Sequence, residues 1–551
     1  MNSKDVHPKE TESTHNLTNA ALKSASSLMG LQLLSRLVSF ALNQALVRLA
    51  SPDVYGTVSI QLELLLSTIL FLSREGFRNT LLRANMKRGD SLLISNIALL
   101  PVYFGIFIST VTSTAYIYTA SEATIEQPFF KLSVLLYTLA AFVELLSEPM
   151  HIRSVQALNS AVRIRAEGSA VVVKSIVTVA ILAFDTSYKG PGSFGLVAFA
   201  LGQLSYSVTL LLGYLPEYGK SISLILRPSR NNRRESSVGG SMLTCLTLKL
   251  RSFFDENLLE VSLAMTAQGF VKHLLTEGDK LIISRISPLK DQGGYAVANN
   301  YGALIARIFF QPIEETSRLF FSKTLPSKAN GGLDAGALQS SLTRLGSLLL
   351  FYAHFSLFLL TLAPPYLMVV LSVLLPPRYL TTSAPAVLSA WVWYIPVLAM
   401  NGILEAFVSS VASSNDLARQ SKWMAGASAV YITLTVALYS FGGLGDTAVV
   451  YANIANLGAR ILYCVEFISA LVHKHTTAEH RIKMLSWKDV VPPISVMLSF
   501  VFAGLVTRLS ARLLKVEAIA WSVGRGVLRS RPCILHLGVG ASCGLALLAV
   551  W

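Results

Sequence analysis

The chain has 551 residues, 52% of them hydrophobic and only 14% charged, with a mean hydropathy of +0.54. Soluble domains carry about 25% charged residues, so this composition excludes an ordinary soluble protein. The net charge of +15 does not mark a nucleic-acid binder either, because the basic residues fall in short loops between apolar runs, where cytosolic loops and anionic headgroups collect them.

Residues 1–23 are polar, mixed in charge and without a cleavable signal pattern, so the first apolar helix is expected to direct the chain to the membrane. From there, apolar runs of about 20 residues recur almost to the end of the chain, each long enough to cross ~30 Å of hydrocarbon. A backbone in lipid must satisfy its own polar groups, which makes each run a helix. The runs fall near 24–50, 54–77, 91–116, 130–151, 161–184, 193–215, 257–284, 293–313, 340–365, 385–411, 423–441, 447–471, 490–508 and 534–551. The fold class is therefore all-α, a polytopic membrane protein of about 14 transmembrane helices. The apolar stretch 366–376 is bounded by prolines and too short to span. It is expected to be a re-entrant or interfacial piece.

The loops orient the chain. SREGFRNTLLRANMKRGD (73–90) holds Arg74, Arg78, Arg83, Lys87 and Arg88, whereas 117–130 holds Glu122 and Glu126 and neither Lys nor Arg. Basic loops recur at 151–166, 216–251 and 472–488. Short cationic loops stay on the cytosolic side, and all of these share it if both termini are cytosolic. The segment 508–531 conflicts, because Arg508, Arg512, Lys515, Arg525, Arg529 and Arg531 land on the opposite side by the helix count. A surface helix there, or a miscount, would account for it.

The polar stretch 216–256 divides the chain. RLASPDVYGTVS (48–59) and RISPLKDQGGYAVAN (285–299) echo each other, with Ser51 and Ser287 236 positions apart and Tyr55 and Tyr295 240 apart. Six helices intervene, so the two halves form a candidate parallel repeat. The expected organisation is a cytosolic tail (1–23), an N-terminal bundle (24–215), a cytosolic linker (216–256), a C-terminal bundle (257–471), and a cytosolic loop with two further helices (472–551).

Charge inside a membrane costs about 2.5–3.5 kcal/mol or more and is rarely placed without a partner or a hydrated cavity. Arg36 lies about 12 residues, or ~18 Å, into the first run, with Gln32 and Asn43 on the same face. The second run carries Glu63; the seventh and eighth carry Lys272, Glu277, Asp279, Lys280, Arg307, Glu314 and Glu315. The tenth carries Glu405, and the twelfth Asn453, Asn456 and Arg460. Arg48, Lys280 and Arg285 read as residues snorkelling from helix ends. The candidate substrate-binding set is Arg36, Arg74, Glu75, Arg78, Lys272, Glu277, Arg307, Glu314, Glu405 and Arg460, in a hydrated cationic cavity suited to phosphate. Arg74, Glu75 and Arg78 would form its entrance lip, or serve only to anchor the helix end.

Other motifs carry no chemistry. GYLPEYGKS (213–221) has five residues between Gly213 and Gly219 where a phosphate-binding loop has four, and it contains Pro216. Glu277 and Asp279 stand without the further ligands a metal needs, so neither a metal nor a cofactor is expected. The Asn16-Leu17-Thr18 sequon lies in the tail placed in the cytosol and should stay unmodified. GASCG (540–544) is a helix-packing pattern. The four cysteines (Cys245, Cys464, Cys533, Cys543) show no zinc or disulfide spacing and read as small packing residues.

Several stretches resemble the Rft family of endoplasmic-reticulum membrane proteins. They are GLQLLSRLVSFALNQALVRLAS (30–51), STILFLSREGFRNTLLRA (67–84), LSEPMHIRSVQALN (146–159), LLTEGDKLIISRI (274–286), DQGGYAVANNYGALIARIFFQPIEETSRLFF (291–321) and NGILEAFVSS (401–410). The resemblance is weakest after about residue 472. It implies membership of the multidrug, oligosaccharidyl-lipid and polysaccharide exporters, with two bundles around a central cavity. It also implies a substrate, dolichol-pyrophosphate-linked Man5GlcNAc2, flipped from the cytosolic to the lumenal leaflet for N-glycosylation without catalysis. The partners implied are that lipid, the membrane lipids and other proteins of the glycosylation pathway. SRLVSFALNQALVRL is similar to the first helix of bacterial lipid II flippases, whose motif places a cavity arginine at Arg36. Two alternatives remain: a non-transporting scaffold for the same lipid, and a polytopic glycosyltransferase, which the isolated Glu277/Asp279 pair disfavours.

Overall fold

The computed structural model describes residues 40–83, 91–157, 159–188, 193–219, 225–227, 253–325, 334–475 and 487–550. Among these every regular element is a helix. The first half comprises α1 (40–49), α2 (Pro52–Gly56), α3 (Glu63–Arg83), α4 (Ser91–Thr119), α5 (Glu122–Ile125), α6 (Phe130–Leu146), α7 (Glu148–Gln156), α8 (Ser160–Tyr188) and α9 (Gly195–Tyr218). The second comprises α10 (Glu256–Thr276), α11 (Gly278–Ile286), α12 (Leu289–Ile305), α13 (Gln311–Thr324), α14 (Ala335–Leu374), α15 (Pro377–Leu380), α16 (Ala384–Val411), α17 (Ser414–Ser440) and α18 (Thr447–His475). The chain continues through α19 (Trp487–Val490), α20 (Ile494–Leu513), α21 (Val516–Val523) and α22 (Arg531–Val550).

Among the described residues eleven helices are long and apolar enough to cross a membrane, which makes the chain a multi-pass membrane protein. The first run is described only from residue 40, and the seventh and eighth are built from α10–α11 and α12–α13, whose charged and amide side chains dilute their hydropathy. Local chemistry sets the helix starts. Ser51 accepts from the Val54 N–H ahead of Pro52, Asp255 from Leu258, and Asp334 from Ala337, while Ser413 and Asp416 form a reciprocal capping box.

Within the first half, α9 packs on α6 and α8, and α4 on α3 and α6; within the second, α16 packs on α12, α13, α14 and α18. The end at which α3 finishes is here termed the basic edge, and the opposite end the far edge. Two seams join the bundles. At the far edge α2 crosses α12 so closely that a Cβ on Gly293 would lie 2.0 Å from the Pro52 carbonyl oxygen. The echoed segments therefore pack on each other, one from each half. Along the second seam α10 lies on α3, and it sits at the junction of the bundles. Asn96 ties the linker to this seam, donating to the Arg227 and Phe253 carbonyls and accepting from the Arg227 N–H.

One sequence expectation changes here. The stretch 366–376 is not a re-entrant piece, because α14 runs as one 40-residue helix through Pro364 and Pro365. A proline removes the hydrogen bond to the carbonyl four residues earlier. Pro364 frees the Leu360 carbonyl, and Arg508 of α20 donates to it at 3.3 Å. His536 approaches the Pro365 carbonyl at 3.3 Å, and Tyr366 donates to the His536 carbonyl. A neighbouring helix thus satisfies the carbonyl freed by Pro364. The basic segment 508–531 contains a surface helix, one of the two accounts the sequence offered: Val516 and Ala520 of α21 and Val527 of the turn after it pack on Val369 and Cys533, while Arg512, Lys515, Arg525, Arg529 and Arg531 are exposed.

Candidate functional site

Both halves of the chain face one cleft. Two overlapping cavities, of about 620 and 500 Å³, share Asn43, Leu46, Glu63, Lys174, Ser175 and Lys280. Their lining along the second helix runs from Tyr55 to Glu75, which at 1.5 Å per residue is about 30 Å. The cleft therefore extends over the thickness of a bilayer. A π-helical turn lies on each side: Thr57–Leu62 supplies Val58, Ser59 and Ile60, and Ala306–Phe310 supplies Arg307. Such turns turn side chains out of the regular helical register and are frequent at functional sites.

Among the described residues four cations line the cleft; Arg74 and Lys280 are ion-paired there, whereas Lys174 and Arg307 have no carboxylate within 4.0 Å. Lys174 of α8 donates to the Gln203 amide oxygen at 2.6 Å. Lys280 of α11 holds Glu277 at 3.0 Å and stands 4.0 Å from Glu63. Arg307 donates to the carbonyl and side-chain oxygens of Asn300 at 3.0 and 3.1 Å. Asn43, Gln203, Asn299 and Asn300 add amides to the same lining. The set offers charge to an anion and paired donors and acceptors to hydroxyls.

The expected site residues divide accordingly. Arg74 and Glu75 line the cleft, but Arg74 is bound to Glu144 at 2.8 Å and lies 3.8 Å from Glu148, while Glu75 accepts from Asn79. Arg78 is outside the lining and makes two bonds to Glu148, at 2.6 and 2.5 Å. These two arginines close a four-charge clasp within the first bundle. Glu405 and Arg460 form a second clasp in the other bundle, at 2.7 and 2.8 Å. Glu277 serves Lys280. Glu314 packs against Gly402, where a Cβ would meet its carboxylate oxygen at 1.7 Å, and it does not reach the cleft lining. Arg307 is in the cleft as expected. Arg36 and the Lys272 side chain lie outside the described residues, as do Lys87, Arg88 and Asn16.

Lys280 is thus a cleft residue where a snorkelling end was expected, because α11 breaks from α10 at Gly278 and turns its first residues inward. Arg285 behaves as expected, donating at the far edge to the Thr119 carbonyl. Lys174 was missed. It follows VVV about 14 residues into its helix, the same placement that drew attention to Arg36.

Two helical bundles facing one cleft define a polytopic helical membrane protein. The structure of the lipid II flippase MurJ in an inward closed conformation shares this fold, with a TM-score of 0.57 at 11% identity, covering 95% of this chain and 98% of that one. The family model described as Rft protein matches residues 20–551, and the chain belongs to that family. It is 33% identical over 483 residues to the Man(5)GlcNAc(2)-PP-dolichol translocation protein of Yarrowia lipolytica, covering 82% of this chain and 70% of the relative. The Mus musculus protein of the same name is 30% identical over 538 residues, covering 95% and 92%.

Proposed function

We propose that this protein moves dolichol-pyrophosphate-linked Man5GlcNAc2 from the cytosolic to the lumenal leaflet of the endoplasmic-reticulum membrane, supplying N-glycosylation, and that it performs no catalysis. The observation that supports this reading is the cleft itself, about 30 Å long, in which Lys174 on one bundle and Lys280 and Arg307 on the other stand among apolar and amide side chains. A bare glycan cannot cross hydrocarbon, since each hydroxyl would lose its hydrogen bonds at a cost of about 2–7 kcal/mol. In the cleft the amides of Asn43, Gln203, Asn299 and Asn300 replace water for the sugars, while the dolichol chain stays in lipid. The pyrophosphate meets Lys174, Lys280 and Arg307, whose ammonium and guanidinium groups donate charge-assisted bonds to its oxygens. Arg36, in the middle of the first apolar run, is a further cation for this role.

Both termini and the basic edge are cytosolic in this reading, with the boundaries 24–215 and 257–471 marking the two rocking units. The halves meet at the far edge, where Gly293 meets Pro52, Gln61 bonds Gln292 at 2.8 Å and Arg378 holds the Arg48 carbonyl, and again along α3 and α10, where a Cβ on Gly76 would lie 2.1 Å from the Thr266 hydroxyl oxygen. Alternating access requires the far-edge contacts to part. Purified protein in liposomes should accelerate transbilayer movement of the lipid without ATP. Tight binding of the lipid with no change in its transbilayer rate would sink the transport reading in favour of a delivery scaffold.

A further inference from the structure

A second cavity, of about 800 Å³, lies apart from the cleft as a groove between α17 and α18. Its walls are two facing helical stripes. One runs from Arg419 to Leu434 and the other from Ala452 to Ala470, each in steps of three and four residues. Gly426, Ala427, Ala455 and Ala459 keep the walls shallow, and the Trp423 indole donates to the Ala459 carbonyl across the groove. The α18 wall is about 27 Å long. One leaflet offers only ~15 Å of hydrocarbon, so an acyl chain confined to it would fill about half of this length.

The basic-edge mouth is charged. Arg419 and Lys422 are exposed there beside Glu466; Arg419 reaches Asp416 at 3.3 Å, and among the described residues Lys422 has no carboxylate within 4.0 Å. The inner wall leads toward the cleft, since Tyr431 and Asn456 line both the groove and a polar cavity of about 300 Å³. Asn299 in turn lines both that cavity and the cleft.

We propose that this groove docks the polyprenyl chain of a polyprenyl-pyrophosphate lipid, its phosphates held at Arg419 and Lys422, before the headgroup enters the cleft; the proposal rests on the transport reading above. Lipid tails are as apolar as the groove, so no transfer energy favours the site. Binding comes from close packing along the small-residue walls and from charge-assisted phosphate bonds at the mouth. A chain longer than one leaflet is the occupant that uses the whole stripe.

The probe is a diazirine-bearing polyprenyl pyrophosphate, photolysed with the full chain in phosphatidylcholine nanodiscs and mapped by peptide mass. Label should fall within 416–434 and 452–470, and unlabelled polyprenyl pyrophosphate should compete it while phosphatidylglycerol does not. The Arg419→Ala/Lys422→Ala pair should lower labelling about a hundredfold, the loss expected for two charge-assisted contacts. Label elsewhere, or equal competition by phosphatidylglycerol, overturns the proposal. Wild-type labelling needs no variant to fold, and it separates two failures. A groove that labels in a protein moving no lipid removes the transport reading alone, whereas lipid movement with label elsewhere removes the docking groove alone.

Discussion

Each bundle carries an arginine–carboxylate clasp, and the two are buried to different depths. In the first, Arg74 and Arg78 hold Glu144 and Glu148, and the Glu148 side chain is only 1% exposed. In the second, Arg460 alone holds Glu405, at 23% and 21% exposure. The cleft cations differ from both, because Lys174 and Arg307 meet amides and carbonyls rather than carboxylates. The lesson is that a charge within a membrane helix reports on function only once its partner is known. A paired cation is already compensated and holds helices together, whereas one facing amides in a cleft remains available to an anion.

The largest effect on stability is expected at the deeper clasp. Arg78→Ala leaves the Glu148 carboxylate buried with Arg74 3.8 Å away, and breaking a buried pair costs about 3–5 kcal/mol. Protein abundance and thermal unfolding in detergent should both collapse, and Arg78→Lys should restore part of the loss, since it keeps the charge without the fork. Unchanged unfolding of Arg78→Ala would show that the clasp is not structural.

Gly293→Ala comes next. Its Cβ would press on the Pro52 carbonyl, and overpacking of this kind costs about 1–3 kcal/mol. Because the strain falls on the far-edge seam, cross-linking of cysteines introduced at Gln61 and Gln292 should fall relative to the parent pair. Equal cross-linking would mean that the seam absorbs a methyl without parting.

Arg460→Ala should cost less than Arg78→Ala, about 1 kcal/mol, because the carboxylate it strands, Glu405, is 21% exposed where Glu148 is 1% exposed. Replacing both Arg460 and Glu405 by Leu should be close to neutral in unfolding temperature. A loss as large as that of Arg78→Ala would contradict the difference drawn between the clasps. Lys174→Ala should change stability least, within about 0.5 kcal/mol, since it breaks one bond to an amide and strands no charge.

Much of the architecture was legible because bilayer chemistry is restrictive. Apolar length gave the helices, and the echo of SPDVYG in SPLKDQGGY marked the two segments that meet at the far edge. The α14 error has a physical reason: prolines bounding a short apolar run look like a break, but Arg508 and His536, far along the chain, serve the carbonyls at the kink. The candidate site was legible by residue type and not by partner. Arg74 and Arg78 were read as a cytosolic lip and Arg460 as a cavity charge, yet nothing local shows that carboxylates 55 to 70 positions away pair with them. Lys280 was misread because a helix break at Gly278 changes the direction of its side chain.

The most direct test is transbilayer movement of the dolichol-linked oligosaccharide in liposomes, comparing the wild type with Lys174→Gln/Arg307→Gln. Two charge-assisted phosphate contacts are removed, each worth about 1.5–3 kcal/mol, so transport should fall at least about a hundredfold while the unfolding temperature stays at the wild-type value. Wild-type transport by the double variant, at equal reconstitution, would contradict the assignment of the cleft as the path of the headgroup.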